Sequence, residues 1–244
     1  MLKKMSIIVV VVVFALAPVA QAVDIDINDD LVPDSLVAGN VFNLAFVTSQ
    51  SVTQGEVGVT IPSVMDSDNN TDINYYNMWV TDFANNYGST GNLVAGKGWD
   101  WKIIGSTSGT SAKNNTALGA STPLYNVNGG LIATGSDDLW DGSILIPMNT
   151  TETGGNNEQE VSTGTQTNGD RTNNPLGSHP SRGHGGDTDG DWIYKTDNSD
   201  ANSKVYAMSE ELTVTGTRIP EPATMSLLVM GGLGVLARRR RRRA

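Results

Sequence analysis

The chain has 244 residues and no cysteine, which excludes thiol catalysis, disulfides and cysteine metal sites. The stretch from Asp24 to Glu221 carries all 26 acidic residues against 8 basic ones, so its net charge is near −18. Such a charge disfavours nucleic acids and anionic membrane surfaces as partners and suits a solvated, exported domain.

The N-terminus, residues 1–22, is typical of a secretory signal peptide. Lys3 and Lys4 precede an apolar run, Ile7–Ala17, and Ala20-Gln21-Ala22 is a small-x-small cleavage site. Cleavage is expected after Ala22. The alternative is an uncleaved anchor, but the run is shorter than the roughly 20 residues of a membrane-spanning helix.

Two elements are predicted early in the exported domain, residues 23–217. The apolar run "VFNLAFVTS" at Val41–Ser49 indicates a buried strand. In "TDINYYNMWVTDFANNYG", apolar residues recur at helical spacing, which predicts an amphipathic helix. Thr71 or Asp72 would cap its start, and Gly88 would end it.

Further strands are predicted downstream. They comprise a strand in Trp99–Thr107, a hairpin around Asn128-Gly129 in Thr122–Thr134, and strands in "DWIYKTD" and "KVYAMSEELTVTG".

Residues 149–191 form a long polar segment in which Val161 and Leu176 are the only large apolar residues. Such a segment cannot bury a core of its own. It is predicted to be a long polar loop that is either functional or disordered, and disorder or a loose surface excursion is slightly favoured.

Several short motifs in this order resemble bacterial secreted domains related to the C-type lectin and endostatin fold. They are "FVTS", "YNMWVTDFAN", "WKIIGST", "DDLWDGSILIPMNTTETG" and "VSTGTQTNG". The resemblance implies an α+β fold with short antiparallel strands, a few helices and a long irregular loop region. In lectin-like proteins such loops often bind calcium and sugar. The tripeptides of calcium-dependent sugar binding in that family are absent here.

"DTDGDW" places Asp187, Asp189 and Asp191 at alternate positions, a spacing of oxygen ligands that suits Ca²⁺. The loop is not an EF-hand, because Trp192 stands where that motif needs glycine. The competing interpretation is an acidic turn on a solvated surface. The same alternatives hold for "DSDNNTD" at residues 66–72.

His179 and His184 are the only histidines, and with Asp187 they would supply three ligands of a zinc site. A solvated loop is the simpler interpretation. Four tryptophans offer stacking surfaces for sugars, although core packing is their commoner role: Trp99, Trp101, Trp140 and Trp192.

The C-terminus, residues 218–244, has three parts in order. Pro220, Glu221 and Pro222 precede an apolar stretch, residues 223–237, and the arginines follow: Arg238, Arg239, Arg240, Arg241, Arg242 and Arg243. The apolar stretch is predicted to be a transmembrane helix, and the arginines would stay in the cytoplasm and stop transfer. The alternative is a permanent anchor.

This order resembles the PEP-CTERM sorting signal of Gram-negative bacteria. The resemblance implies recognition at Pro220–Pro222 by an exosortase in the inner membrane, and removal of the helix and the arginines. It also implies delivery to the cell surface or the exopolysaccharide matrix.

The first functional hypothesis is therefore an exported, non-catalytic binding or structural module of the cell surface or biofilm matrix. Its partners would be polysaccharide, cations or other surface proteins, besides the exosortase and the secretion machinery. The second hypothesis is a secreted enzyme that acts on matrix polysaccharide with a carboxylate pair. The third is a purely structural matrix component.

Overall fold

The computed structural model describes residues 22–51, 72–87, 91–177, 179–197 and 204–218. The predicted signal peptide lies outside these residues except for Ala22. The sorting element Pro220–Pro222, the apolar stretch 223–237 and Arg238–Arg243 lie outside them as well. Within the described ranges, no helix has both the length and the apolar character to span a membrane.

The described residues form a mixed α/β body with few helices. The helices are α1 (Ile73–Asn86), α2 (Ala112–Thr116) and α3 (Ser136–Leu139), with a 3₁₀ turn at Gly190–Trp192. The strands are β1 (Val23–Asp26), β2 (Val41–Val47), β3 (Trp101–Ile103), β4 (Leu124–Asn126), β5 (Leu131–Ala133), β6 (Glu160–Ser162), β7 (Ser181–His184), β8 (Thr196–Asp197), β9 (Tyr206–Ser209) and β10 (Leu212–Thr215).

A curled seven-stranded sheet is organised around β2. On one edge β2 pairs in parallel with β4, which continues into the hairpin partner β5. On the other edge β2 pairs antiparallel with both β9 and β10. Beyond them, β3 pairs with β9, and β1 pairs in parallel with β10. The sheet therefore divides into two branches on that side.

The two branches meet at an irregularity between β9 and β10. Ala45 lies opposite Met208 and Phe42 lies opposite Leu212, so the β9–β10 side carries one extra residue. That is the geometry of a β-bulge, which bends a strand and increases its twist. Ser209 compensates for the lost ladder bond, because its Oγ accepts a hydrogen bond from the Leu44 N–H at 2.9 Å.

The side chains of β2 are buried on both faces of the sheet. Phe42, Leu44 and Phe46 belong to the core that α1 covers. Ala45 and Val47 face a second core on the opposite side. The buried strand predicted from the apolar run is confirmed, since a strand covered on both faces carries apolar side chains on both, here with Asn43 as the one polar residue.

The predicted amphipathic helix is present as α1 and packs on the first face. The Asp72 side chain accepts a hydrogen bond from the Asn74 N–H at 3.0 Å and caps the helix, whereas Gly88 lies outside the described residues. The Phe46 ring lies 6.5 Å from that of Phe83 on α1 and 4.8 Å from that of Trp101 on β3, measured between ring centroids. These contacts fix the helix against the centre of the sheet.

The polar segment 149–191 is not a loose excursion, and that prediction was wrong. It contains β6 and β7, which form a second, three-stranded sheet with β8. Val161 and Leu176 are buried, at 0% and 2% exposure. The segment needs few apolar residues of its own because it also packs on apolar side chains that other parts of the chain supply.

Buried serine and threonine residues fill the remaining volume of this segment. Thr163 is fully buried, and its Oγ1 donates to the Ile193 carbonyl at 2.6 Å. The Ser106 and Thr165 hydroxyls lie 2.8 Å apart, and the Ser181 hydroxyl bonds that of Thr172 at 2.9 Å. Buried hydroxyls with such partners carry little desolvation penalty.

Other predictions are confirmed or corrected locally. The hairpin at Asn128-Gly129 forms between β4 and β5, where the Asn126 side chain accepts from the Asn128 and Gly130 N–H groups. "DWIYKTD" was predicted to be a strand, but its start belongs to the 3₁₀ turn, which Asp189 caps, and only its last two residues form β8. The sheets are not wholly antiparallel, since two pairings in the main sheet are parallel.

We expect Gly183→Ala to destabilise the body by about 3 kcal/mol, because overpacking against rigid backbone is costly. A Cβ at Gly183 would lie 2.0 Å from the Trp192 carbonyl oxygen. Gly155→Ala in the same segment is the control, since its nearest neighbour would be the Thr151 hydroxyl at 3.4 Å. Chemical denaturation measures both variants. Equal stability of the two would show that residues 149–191 are loosely held.

Candidate acidic site at the 3₁₀ turn

Three carboxylates predicted from sequence lie together where β7 leads into the 3₁₀ turn. Asp187, Asp189 and Asp191 each offer an oxygen, and these oxygens lie within 4.8 Å of one another. Trp192, fully buried, anchors the turn in the second core. Asp189 also caps the turn by accepting the Asp191 N–H at 3.1 Å. The turn thus holds three oxygens at a spacing that a hard cation could bridge.

The ammonium of Lys195 already lies among these carboxylates. Its Nζ is 2.8 Å from Asp187 Oδ2 and 3.9 Å from Asp191 Oδ2. His184 Nδ1 lies 3.4 Å from the same Asp187 oxygen. A calcium ion at this turn would therefore compete with a cation that belongs to the chain.

The pair of Asp187 and Lys195 stabilises its own charged state. The hydrogen bond from Lys195 is the main cause that lowers the pKa of the Asp187 carboxyl, with a further contribution from His184. The same bond raises the pKa of Lys195 above its ordinary value. Both groups are therefore charged over the whole physiological range.

The other metal ligands considered from the sequence do not form a cluster of this kind among the described residues. Within the described ranges, Asp187, Asp189 and Asp191 are the one grouping of three or more histidine, aspartate or glutamate side chains with metal-like spacing, so His179 and His184 do not complete a zinc set there. His179 is exposed. Residues 66–71 of the second acidic motif lie outside the described residues, and Asp72 caps α1.

The four candidate tryptophans are at most 5% exposed, so they pack in the cores as the simpler interpretation had it. Both core clusters draw on them, Trp99 and Trp101 in the first, Trp140 and Trp192 in the second. Their ring faces are therefore not free to stack on sugars.

Glu152 is a buried carboxylate that was not predicted from the sequence. It is 1% exposed and accepts hydrogen bonds from both the N–H and the hydroxyl of Ser49, just after β2. Burial lowers the pKa of Lys204, while the charge of Glu152 opposes that shift. Glu152 stands in a run of threonines and glycines, and nothing in that pattern distinguishes it from a surface residue.

The two ends of the body lie side by side. Val23 opens β1, and its N–H donates to the Glu211 carbonyl at 2.9 Å. β1 then pairs along the whole of β10, from Val23 opposite Leu212 to Asp26 opposite Thr215. The chain leaves the body directly after β10, so the last strand and residue 218 are separated by two residues.

The comparisons with known proteins identify the segment that follows. Residues 218–242 match the model of the PEP-CTERM protein-sorting motif, which confirms the interpretation of Pro220–Pro222, the apolar stretch and the arginines as one sorting signal. No curated protein and no solved structure matches the chain. The motif indicates an exported protein, processed by an exosortase, of the Gram-negative cell envelope or surface. The lectin-like identity of the body stays a prediction.

We expect Asp187→Asn to lower the free energy of unfolding slightly at neutral pH, because it removes the ion pair with Lys195. The difference in unfolding free energy between this variant and wild type should vanish as the pH falls below 3.8, the ordinary pKa of aspartate, and then through the lowered pKa of Asp187 in the folded state. The same free-energy difference should shrink as the pH rises above 10.5, the ordinary pKa of lysine, and then through the raised pKa of Lys195 in the folded state.

Denaturation at a series of pH values measures this difference, with Asp30→Asn as the control for loss of an exposed carboxylate. A difference that does not shrink as the pH falls below 3.8 would contradict the ion-pair explanation.

Proposed function

We propose that this chain is an exported protein of the cell surface or exopolysaccharide matrix whose body is a non-catalytic binding or structural module. The observation that carries the proposal is the position of the sorting motif. It begins at residue 218, just after β10 closes the sheet at Thr215. The part of the motif after Arg218 therefore follows the last strand, and its removal leaves every strand of the described body in place.

The N-terminal end supports the same interpretation. Cleavage after Ala22 would leave Val23, the first residue of β1, as the mature N-terminus. Removal of both addressing segments then leaves every strand of the two sheets whole. Processing at both ends would release one folded unit, residues 23 to about 220.

The net charge of the body favours a domain exposed at the cell surface over a domain that itself attaches to a membrane. The stretch 24–221 has a net charge near −18, which keeps a protein soluble and repels anionic lipid. The lectin-like resemblance adds polysaccharide as the expected partner class in a biofilm matrix. The acidic turn at Asp187, Asp189 and Asp191 would be the place where cations join body and polysaccharide.

We expect intact-mass analysis of the protein from the native host's envelope and medium to find a species that begins at Val23 and lacks the apolar stretch and arginines. Deleting the exosortase should leave the C-terminus intact while the signal peptide is still removed. A mature species that retains Arg238–Arg243 in the wild-type host would mean a permanently anchored protein and would overturn the processing step.

We expect the mature body to co-sediment with the host's exopolysaccharide without releasing new reducing ends. New reducing ends would favour the alternative of a secreted polysaccharide-cleaving enzyme. Absence of co-sedimentation would favour a structural component without this ligand. If cations assist, calcium should increase co-sedimentation, and Lys195→Gln should lower the calcium concentration required, because the competing ammonium is gone. Lys113→Gln, at another exposed lysine, is the matched surface control.

A further inference from the structure

The chain leaves β10 along a path that the body holds in place. Gly216 has φ +86°, a left-handed conformation that glycine adopts without strain, and it turns the chain after Thr215. The Asn28 side-chain amide donates to the Thr217 carbonyl at 3.1 Å. Arg218 comes next and is the first residue of the sorting motif.

Arg218 is bound to the body by three contacts. Its Nη1 lies 2.9 Å from Asp34 Oδ1, and its Nη2 donates to the carbonyls of Pro33 at 3.1 Å and Leu36 at 3.4 Å. We call Arg218, Asp34 and these two carbonyls the exit clamp. The planar guanidinium suits this arrangement, because it can reach a carboxylate and backbone carbonyls at once.

The body side of the exit clamp is firmly held. Leu31, Val32 and Leu36 are at most 7% exposed and belong to the first core. Asp29 in the same loop forms an ion pair with Lys97. The Gly39 N–H also donates to the Val214 carbonyl on β10 at 2.8 Å. Arg218 is therefore attached to a fixed part of the fold.

We propose that Arg218 is a positioning residue for exosortase processing, because the exit clamp ties the start of the sorting motif to the body and must open before Pro220–Pro222 can enter the enzyme. This inference rests on the proposed function. The contact partner Asp34 lies outside the motif, so the body itself contributes to how the motif is presented.

The spacing makes the exit clamp an obstacle. Pro220 follows Arg218 by two residues, which span about 7 Å when extended. On the other side, the apolar stretch begins directly after Pro222. With the clamp closed, only Ile219 separates the held residue from Pro220 in sequence, so an enzyme would have almost no free chain to surround on the body side.

The exit clamp is weak enough to open. Asp34 is fully exposed and Arg218 is 40% exposed, so their ion pair is screened by water and salt. Opening it costs little, and its removal should accelerate processing about two- to fivefold. The clamp slows processing and does not block it.

The test is pulse–chase processing of the full chain in a host that carries the exosortase. Asp34→Ala leaves the motif unchanged and weakens the clamp by removing its carboxylate, while the Pro33 and Leu36 carbonyls remain. We expect this variant to be processed about two- to fivefold faster than wild type. Asp30→Ala, an exposed carboxylate in the same loop, should behave as wild type. A Gly-Ser-Gly-Ser insertion between Arg218 and Ile219 should accelerate processing similarly, because it supplies free chain with the clamp closed.

The combination of Asp34→Ala with the insertion separates positioning from general loosening of the fold. If the clamp acts by restricting the motif, the two changes together should be no faster than the insertion alone. The exit clamp would be overturned if the two changes accelerate processing additively. It would also be overturned if Asp34→Ala is processed no faster than wild type while the wild-type chain is processed normally. A wild-type chain that is never processed would overturn the proposed function itself. Melting temperatures of the secreted variants check that each body is folded.

Discussion

The body depends on one constraint, the burial of β2 on both of its faces. A strand whose side chains are covered on each side needs one layer above and another below. Phe46 meets the layer of α1, and Val47 meets the opposite layer. The neighbours on the two edges, β4 and the bulged strand β9–β10, then determine where the rest of the sheet goes.

The second layer shows how a core can be closed with few apolar residues. Val161 and Leu176 are the apolar contribution of the polar segment 149–191, and the hydroxyls of residues such as Thr163 bond to neighbouring backbone. Glycine at position 183 allows β7 to approach the Trp192 carbonyl closely. Threonine and glycine therefore occupy buried positions in this layer where aliphatic side chains are few.

These two layers explain what the sequence could and could not predict. The apolar run of β2, the capped helix α1 and the hairpin at Gly129 are local patterns, and each was predicted correctly. The parallel pairing of β1 with β10 joins residues almost 190 positions apart, and no local pattern indicates it. The segment 149–191 was misjudged because apolar periodicity does not register buried hydroxyls that find partners.

The acidic site, too, could be predicted from the sequence only in part. Asp187, Asp189 and Asp191 were candidates from their alternate spacing, and their carboxylate oxygens lie within 4.8 Å of one another, whereas calcium binding there stays a prediction. Their association with Lys195 was not predicted, because it depends on the 3₁₀ turn that brings the lysine back to Asp187. Likewise Arg218 reads as part of a sorting signal, whereas its partner Asp34 lies 184 residues earlier and is found only in the fold.

The pairing of the first and last strands links folding to sorting. β1 is the first strand after the predicted signal peptide, and its partner β10 is the last element before the sorting motif. The sheet is therefore complete only when nearly the whole exported chain has folded, since such distant contacts must wait for the residues between them. The path from Gly216 to Arg218 is defined by the same loop that packs beside β10. A sorting motif held in this way is presented by a finished body, and an unfolded chain would present it without the exit clamp.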